Sequence, residues 1–511
     1  MTFKATCAEH VPTQNATTTA GPRESYARDS VNGSTEMPRA AEKDAAPLAQ
    51  PIWFGPERSP LFGWFHEAVS PRRDCVVVLC NPFGYDAVLT HYSYRALAER
   101  LAATGVAALR FDYFGTGDSS GSDEGPDHIE RWLADIEAAC LEASRRAAVT
   151  ATAVFGLGLG GLLALAATQR QPVHDLILLG PPASGRAFLR ELRAIRALRT
   201  AVPPFASEPR EASSEDENFG FLMTEPMRKA IQAIDPKAMT NRTAQRALVI
   251  PRDDVSRNDA ELAEHLRSCG VDVTLKGIGG YAVALQGDPY TSVLPDEAWG
   301  EIVSWLTQEH AVKGDESPSD PLPSGHSLPA TTIGAAREEA VRFGGLFGLL
   351  TEPTEQTSRS RTGIILIDSG ANHRIGNNRL YVTWARSWAA CGFRVLRFDL
   401  AGIGDSPVPP GRRAKEVYSP MAMPETRAAM DFLERRGCNR FVLGGICSGA
   451  YIAFHTAVDD PRVAGILLMN PPTFHWKEGD SLELHTRNTF SSTSFYLRAA
   501  MSADTWKKTL R

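Results

Sequence analysis

The sequence predicts an α/β class protein made of two tandem doubly wound sheets, the second lacking its last strands. Three observations carry this. Short unbroken apolar runs such as Val76-Val77-Val78-Leu79 and Ile364-Ile365-Leu366-Ile367 have the length and branching of strands buried on both faces of a parallel sheet. Amphipathic helical stretches alternate with these runs, the pattern of right-handed β-α-β crossovers. Three islands of sequence recur in one order at a nearly constant spacing, so one unit is present twice.

The first island, Leu109-Arg110-Phe111-Asp112 running to Gly117-Asp118-Ser119, returns 287 residues later as Leu396-Arg397-Phe398-Asp399 running to Gly404-Asp405-Ser406. Gly156-Leu157-Gly158-Leu159-Gly160 returns as Gly445-Ile446-Cys447-Ser448-Gly449, and Leu178-Leu179-Gly180-Pro181-Pro182 as Leu468-Met469-Asn470-Pro471-Pro472. The period is a whole domain, too long for a solenoid repeat.

Taken in order, residues 1–50 hold almost no large apolar side chains and are expected to be disordered, since they cannot bury enough surface to offset ordering entropy. Residues 51–310 form the first copy. Strands are predicted near 76–79, 107–111, 152–155 and 175–179, with a helix over 93–104. A charged helical insertion near 186–235 follows, then strands at 247–250 and 271–276 and helices over 259–269 and 297–306. A linker dense in Pro, Ser and Asp spans 311–335. The second copy, 336–511, repeats the pattern with a helix over 380–391 and strands near 364–367, 394–398, 440–443 and 464–469. Arg511 aligns inside the first copy's insertion, so the counterparts of the last two strands fall beyond it. A sheet cut short in this way exposes an edge, and the expectation is that another chain, a second copy or the first domain completes it.

Composition narrows the function classes. The 511 residues are 43% hydrophobic and 22% charged, with a net charge of −6, which leaves no basic field for nucleic acid or an anionic membrane surface. Eight cysteines are too sparse for a disulfide framework, and none stands at zinc-ligand spacing, so no metal and no cofactor are expected. The apolar stretch at 155–167 is too short to span a bilayer, and no signal-like leader is visible. A reduced, cytoplasmic setting is the expectation.

The chemistry-bearing motif is strand, Gly-x-nucleophile-x-Gly, helix. The central residue sits in a strained turn that lifts its side chain above the sheet, and backbone N–H groups at the helix start face a developing oxyanion. In the second copy the centre is Cys447. Centring on Ser448 instead would put Ile446 and Ala450 where glycines are needed. The helix N-terminus would lower the thiol pKa and favour a thiolate nucleophile. The structural alternative is a small buried cysteine tolerated at a tight turn. In the first copy the centre is Gly158, which has no side chain to react, and that copy is expected to be catalytically dead. A phosphate loop is excluded there by the lack of a Gly-Lys-Ser/Thr ending.

On these residues, with the Asn81-Pro82-Phe83-Gly84 loop and both Leu-Arg-Phe-Asp islands, the chain resembles the α/β-hydrolase superfamily. It is most similar to proteins of the serine aminopeptidase type, including the exosortase-associated hydrolases. The resemblance implies an acid after a late strand, matched by Asp253 or Asp254, and a base histidine in the loop matched by Gly279-Gly280-Tyr281-Ala282, which has none. In the second copy both positions lie beyond Arg511. His373 remains as a candidate catalytic companion to Cys447, in a loop that resembles the family's oxyanion loop, and His475 is a weaker one. Asp112, Asp118, Asp399 and Asp405 are read as turn residues that satisfy local N–H groups. The function expected is an acyl ester or thioester hydrolase, or an acyltransferase, with a substrate that is free or carrier-bound. The alternative is a non-catalytic pseudo-hydrolase acting as scaffold or acyl-binding protein.

Overall fold

The computed structural model describes residues 49–200, 217–218, 220–254, 260–313, 328–354, 360–477 and 480. Nearly all of the expected disordered segment, most of the linker and the chain after 480 lie outside the described residues.

The first sheet has eight strands in the order Gln50–Phe54, Leu61–His66, Ala107–Phe111, Cys75–Cys80, Ala151–Leu157, Val173–Leu179, Ala244–Ile250 and Asp272–Leu275. The first two strands pair antiparallel and Leu61–His66 runs antiparallel to Ala107–Phe111, after which every pairing is parallel. The second sheet has seven, in the order Ala330–Ile333, Ala336–Phe343, Leu346–Pro353, Arg394–Asp399, Thr362–Ile367, Arg440–Ile446 and Val463–Met469. Strand for strand the two agree from the antiparallel pair to the sixth strand of the first sheet. The second adds Ala330–Ile333 at one edge, and among the described residues its last strand matches the sixth of the first sheet, which continues with two more.

The apolar runs do what their pattern implies. Val76 and Val78 face one core cluster of the first half while Cys75, Val77 and Leu79 face the other, so this strand is buried on both sides. Two expectations change. The helix expected over 93–104 is Tyr85–Ala103, because Gly84 at φ 69° makes the whole turn in one residue and lets the helix begin at once. The end of the expected linker is the strand Ala330–Ile333, which pairs with Ala336–Phe343 across a short turn at Gly334. The sequence reading did not contain the N-terminal antiparallel strands of either half.

The two halves meet in one compact unit. Phe62 and Trp64 of the first sheet pack on Phe347 and Leu349 of the second, with the Trp64 and Phe347 rings 4.5 Å apart. Burying Phe62 and Phe347 contributes about 1.5–3 kcal/mol each. Beside this apolar patch the repeated islands exchange charges. Arg110 reaches Asp405 at 2.9 Å, and its counterpart Arg397 reaches Asp118 at 2.5 Å. The contact is therefore self-complementary, like that of a two-fold dimer. Matching hydrogen bonds repeat on each side: the Phe62 amide donates to Ser119 Oγ and the Phe347 amide to Ser406 Oγ, both at 2.9 Å. Arg374 adds contacts of 2.7–2.8 Å to Asp118, Asp399 and Asp405. The expectation that all four aspartates serve only their own turns is thus corrected. Asp112 and Asp399 do accept turn amides, but Asp118 and Asp405 hold the other half. Burial alone would raise the Asp118 carboxyl, yet Arg374 and Arg397 outweigh it and hold it well below the usual carboxylate range.

Candidate active site

Each elbow is built from a strand entering a helix through one residue of positive φ. In the first half Ala151–Leu157 passes through Gly158 (φ 56°, ψ −126°) into Leu159–Thr168. In the second, Arg440–Ile446 passes through Cys447 (φ 54°, ψ −117°) into Ser448–Asp459. The flanking glycines are dictated by close approach. A Cβ on Gly445 would stand 2.2 Å from the Gly449 carbonyl carbon, and one on Gly156 would stand 2.4 Å from that of Gly160. Their outer partners are as tight: a Cβ on Gly449 would lie 2.5 Å from Ile367 O, and one on Gly160 2.4 Å from Cys80 O. Centring the motif on Cys447 follows from these distances.

The first site is filled with structure. Tyr281, in the loop where the family resemblance implies a histidine, is buried and lies beside Gly158, its hydroxyl 3.8 Å from where a Cβ would be. Asp253 accepts the amides of Gly280 and Ala282 at 2.8 and 2.7 Å, which fixes that loop. Asp254 is held by Arg252, which also grips Glu191 and stacks over the Tyr281 ring at 4.6 Å. Both candidate acids are thus committed to holding the loop and its tyrosine.

At the second elbow Cys447 is half-buried. Burial pushes its thiol up from the ordinary value, and the Ser448 amide and the Tyr418 hydroxyl, both hydrogen-bonded to the sulfur, only partly offset this. The expected thiolate is therefore corrected: desolvation outweighs the helix N-terminus, and the resting group is the thiol. Ser448 is buried, and its hydroxyl accepts the Gly370 amide at 2.8 Å, tying the loop after Thr362–Ile367 to the elbow. Tyr418, itself at φ 60°, stacks on Trp476 at 4.3 Å and meets Tyr451 edge-on. Sequence reasoning missed Tyr418, since it lies outside every repeated island and nothing in its local pattern marks it.

The structure does not bring His373 to Cys447. His373 lies in the seam between the halves, 8% exposed and stacked on His91 of the first half at 4.0 Å. Burial, then the neighbouring His91 and Arg374, hold it well below the ordinary histidine value, so it is neutral. The reason lies in the loop: the Arg374 amide and guanidinium are both fixed on Asp399, which turns this stretch into the seam. His475 is exposed, and its backbone is closed onto Thr473. Among the described residues no helix is long and apolar enough to cross a membrane. Cys75, Asp175 and His310 stand close enough to share a metal ion, but Arg246 lies 2.8 Å from the Asp175 carboxylate and supplies the positive charge there.

Residues 76–249 match the family model described as serine aminopeptidase, S33. Similar solved structures include a putative hydrolase from Agrobacterium vitis S4, at 20% identity and a TM-score of 0.34, over 51% of this chain and 98% of that one. Est1E from Butyrivibrio proteoclasticus matches at 16% identity and a TM-score of 0.36, over 50% and 97%. A proline iminopeptidase from Mycobacterium smegmatis matches at 14% and 0.37, over 51% and 98%. No curated protein matches the chain. One sheet order is repeated in both halves, so the chain is an α/β protein in two parts, and residues 76–249 of the first are similar to the serine aminopeptidase S33 family.

Proposed function

We propose that the chain acts on acyl esters or thioesters at its second elbow, with the Cys447 sulfur as acyl acceptor and the first half as a non-catalytic companion. One observation carries the reading. Cys447 keeps a side chain at φ 54°, where the sister elbow relaxes the same turn with Gly158. A non-glycine residue there costs roughly 1–3 kcal/mol, and such cost persists chiefly where a side chain is used. Because the resting group is a protonated thiol, activated thioesters suit it better than amides. The sulfur forms a bond to the acyl carbon as the substrate's carbon–sulfur bond breaks, and the Cys447 proton ends on the departing thiol. Water then releases the acid, or a second acceptor takes the acyl group. A carrier-bound substrate in the reduced cytoplasm fits this chemistry. The same reading places an additional chain or a second copy along Val463–Met469, where Ile466 and Leu467 are 41% and 38% exposed.

A specific observation favours the non-catalytic alternative: the Gly370 amide, in the loop that resembles an oxyanion loop, is occupied by Ser448 Oγ. Incubation with a short-chain acyl thioester followed by peptide mass mapping separates the two. An acyl adduct on Cys447, absent from Cys447→Gly, supports acyl transfer. Saturable binding without adduct or turnover supports the acyl-binding scaffold.

A further inference from the structure

Apart from both elbows, the seam encloses a cavity of about 110 Å³. Neither Gly158, Tyr281 nor Cys447 lines it. One wall comes from the first half: Phe83 lies between Trp132 and Phe221, with ring centroids 6.0 and 6.2 Å away. The facing wall is the second half's loop, with His373, Ile375 and Asn378. Two stacked imidazoles stand at the junction. His91 Nε2 is closed off from the cavity and faces Asp405 at 3.7 Å.

The charges around the cavity decide what would occupy it. Asp112 and Asp123 both line it, and the one cation among the lining residues, Arg379, is spent on the carbonyls of Gly117, Ser119 and Gly121. An anion would face carboxylates with no free counter-charge. An uncharged molecule with an apolar ring fits the walls, and the volume approaches the roughly 150 Å³ of a cavity that takes benzene.

We infer that the seam between the two halves is a binding site for a small uncharged aromatic molecule, its ring among Phe83, Trp132 and Phe221. The site is independent of any reaction at Cys447.

Phenol is the probe, titrated into the full chain and followed by ligand-observed NMR, with benzoate at pH 7.5 as the charged comparison. Phenol is expected to saturate below about 10 mM, and benzoate to bind at least about tenfold more weakly because of the two aspartates. Ala87→Phe fills the cavity from the first half and Ile375→Trp from the second. Each is expected to weaken phenol at least about tenfold while the melting temperature stays near that of the parent. Thioester acylation at Cys447 in Ala87→Phe is a separate readout, so loss of one activity does not report on the other. No saturation by phenol in the parent, or equal binding by parent and both variants, overturns the proposal. Should either variant fail to fold, a phenol-soaked crystal of the parent decides, with density required between Phe83 and His373.

Discussion

The two elbows differ by 2° in φ and 9° in ψ, yet one presents a sulfur and the other a bare Cα. Around the glycine the first half uses Asp253 and Asp254 to hold a tyrosine loop in place. Around the cysteine the second half has a half-buried thiol, touched by a tyrosine hydroxyl and a backbone amide. The lesson is that the backbone of an elbow does not depend on its central side chain. The strand–helix joint packs the sheet whatever its central side chain does, because the demand for glycine comes from the flanking positions.

That comparison can be broken most severely at the seam, where the halves are symmetric. Asp118→Ala and Asp405→Ala each strand buried guanidinium groups and are expected to cost about 3–5 kcal/mol, read as a shift in urea midpoint. A large loss at one and none at the other would refute the two-fold reading of the contact. Next, Gly445→Ala and Gly156→Ala should cost about 1–3 kcal/mol or more each and to a similar extent, since both drive a Cβ into backbone carbonyl carbon. Thermal unfolding of the pair measures this.

Smaller effects separate the elbow centres. Gly158→Cys has room for its Cβ and should lose only about 1–2 kcal/mol to positive-φ strain, without gaining acylation. Cys447→Gly should abolish acylation and leave stability unchanged or raised by up to about 1 kcal/mol. A strongly destabilised Cys447→Gly would make the cysteine a packing residue instead.

The smallest expected effect concerns pH. Burial, then the neighbouring Asp118 charge, raise Asp112 to about 6. The folded state therefore binds that proton more readily than the unfolded chain, and the Asp112 contribution to stability rises as pH falls from above 6 toward 4. Asp118 has the opposite sign: its depressed value gives stability that is present above about pH 4 and lost on further acidification. Asp112→Asn should flatten the slope between pH 6 and 4 and leave the acid limb. Denaturant midpoints across that range check it.

Much of this was legible before any coordinates. The elbow glycines, the strand runs and the duplication are local patterns. The seam left a trace that went unread: Arg110 and Arg397, with Asp118 and Asp405, are repeated in both islands, as expected of residues that pair crosswise. Their partners lie 295 and 279 residues away, a separation at which no local pattern can say which charge meets which.

The sequence alone determined the class of fold, its doubling, and which elbow carries a side chain at its centre, because turn sterics and strand periodicity act within a few residues. Only the tertiary structure decided that His373 serves the seam, that Tyr418 touches the sulfur, and that the Cys447 thiol is raised. Those outcomes depend on burial and on charges brought together from distant segments, and desolvation is a property of the assembled neighbourhood.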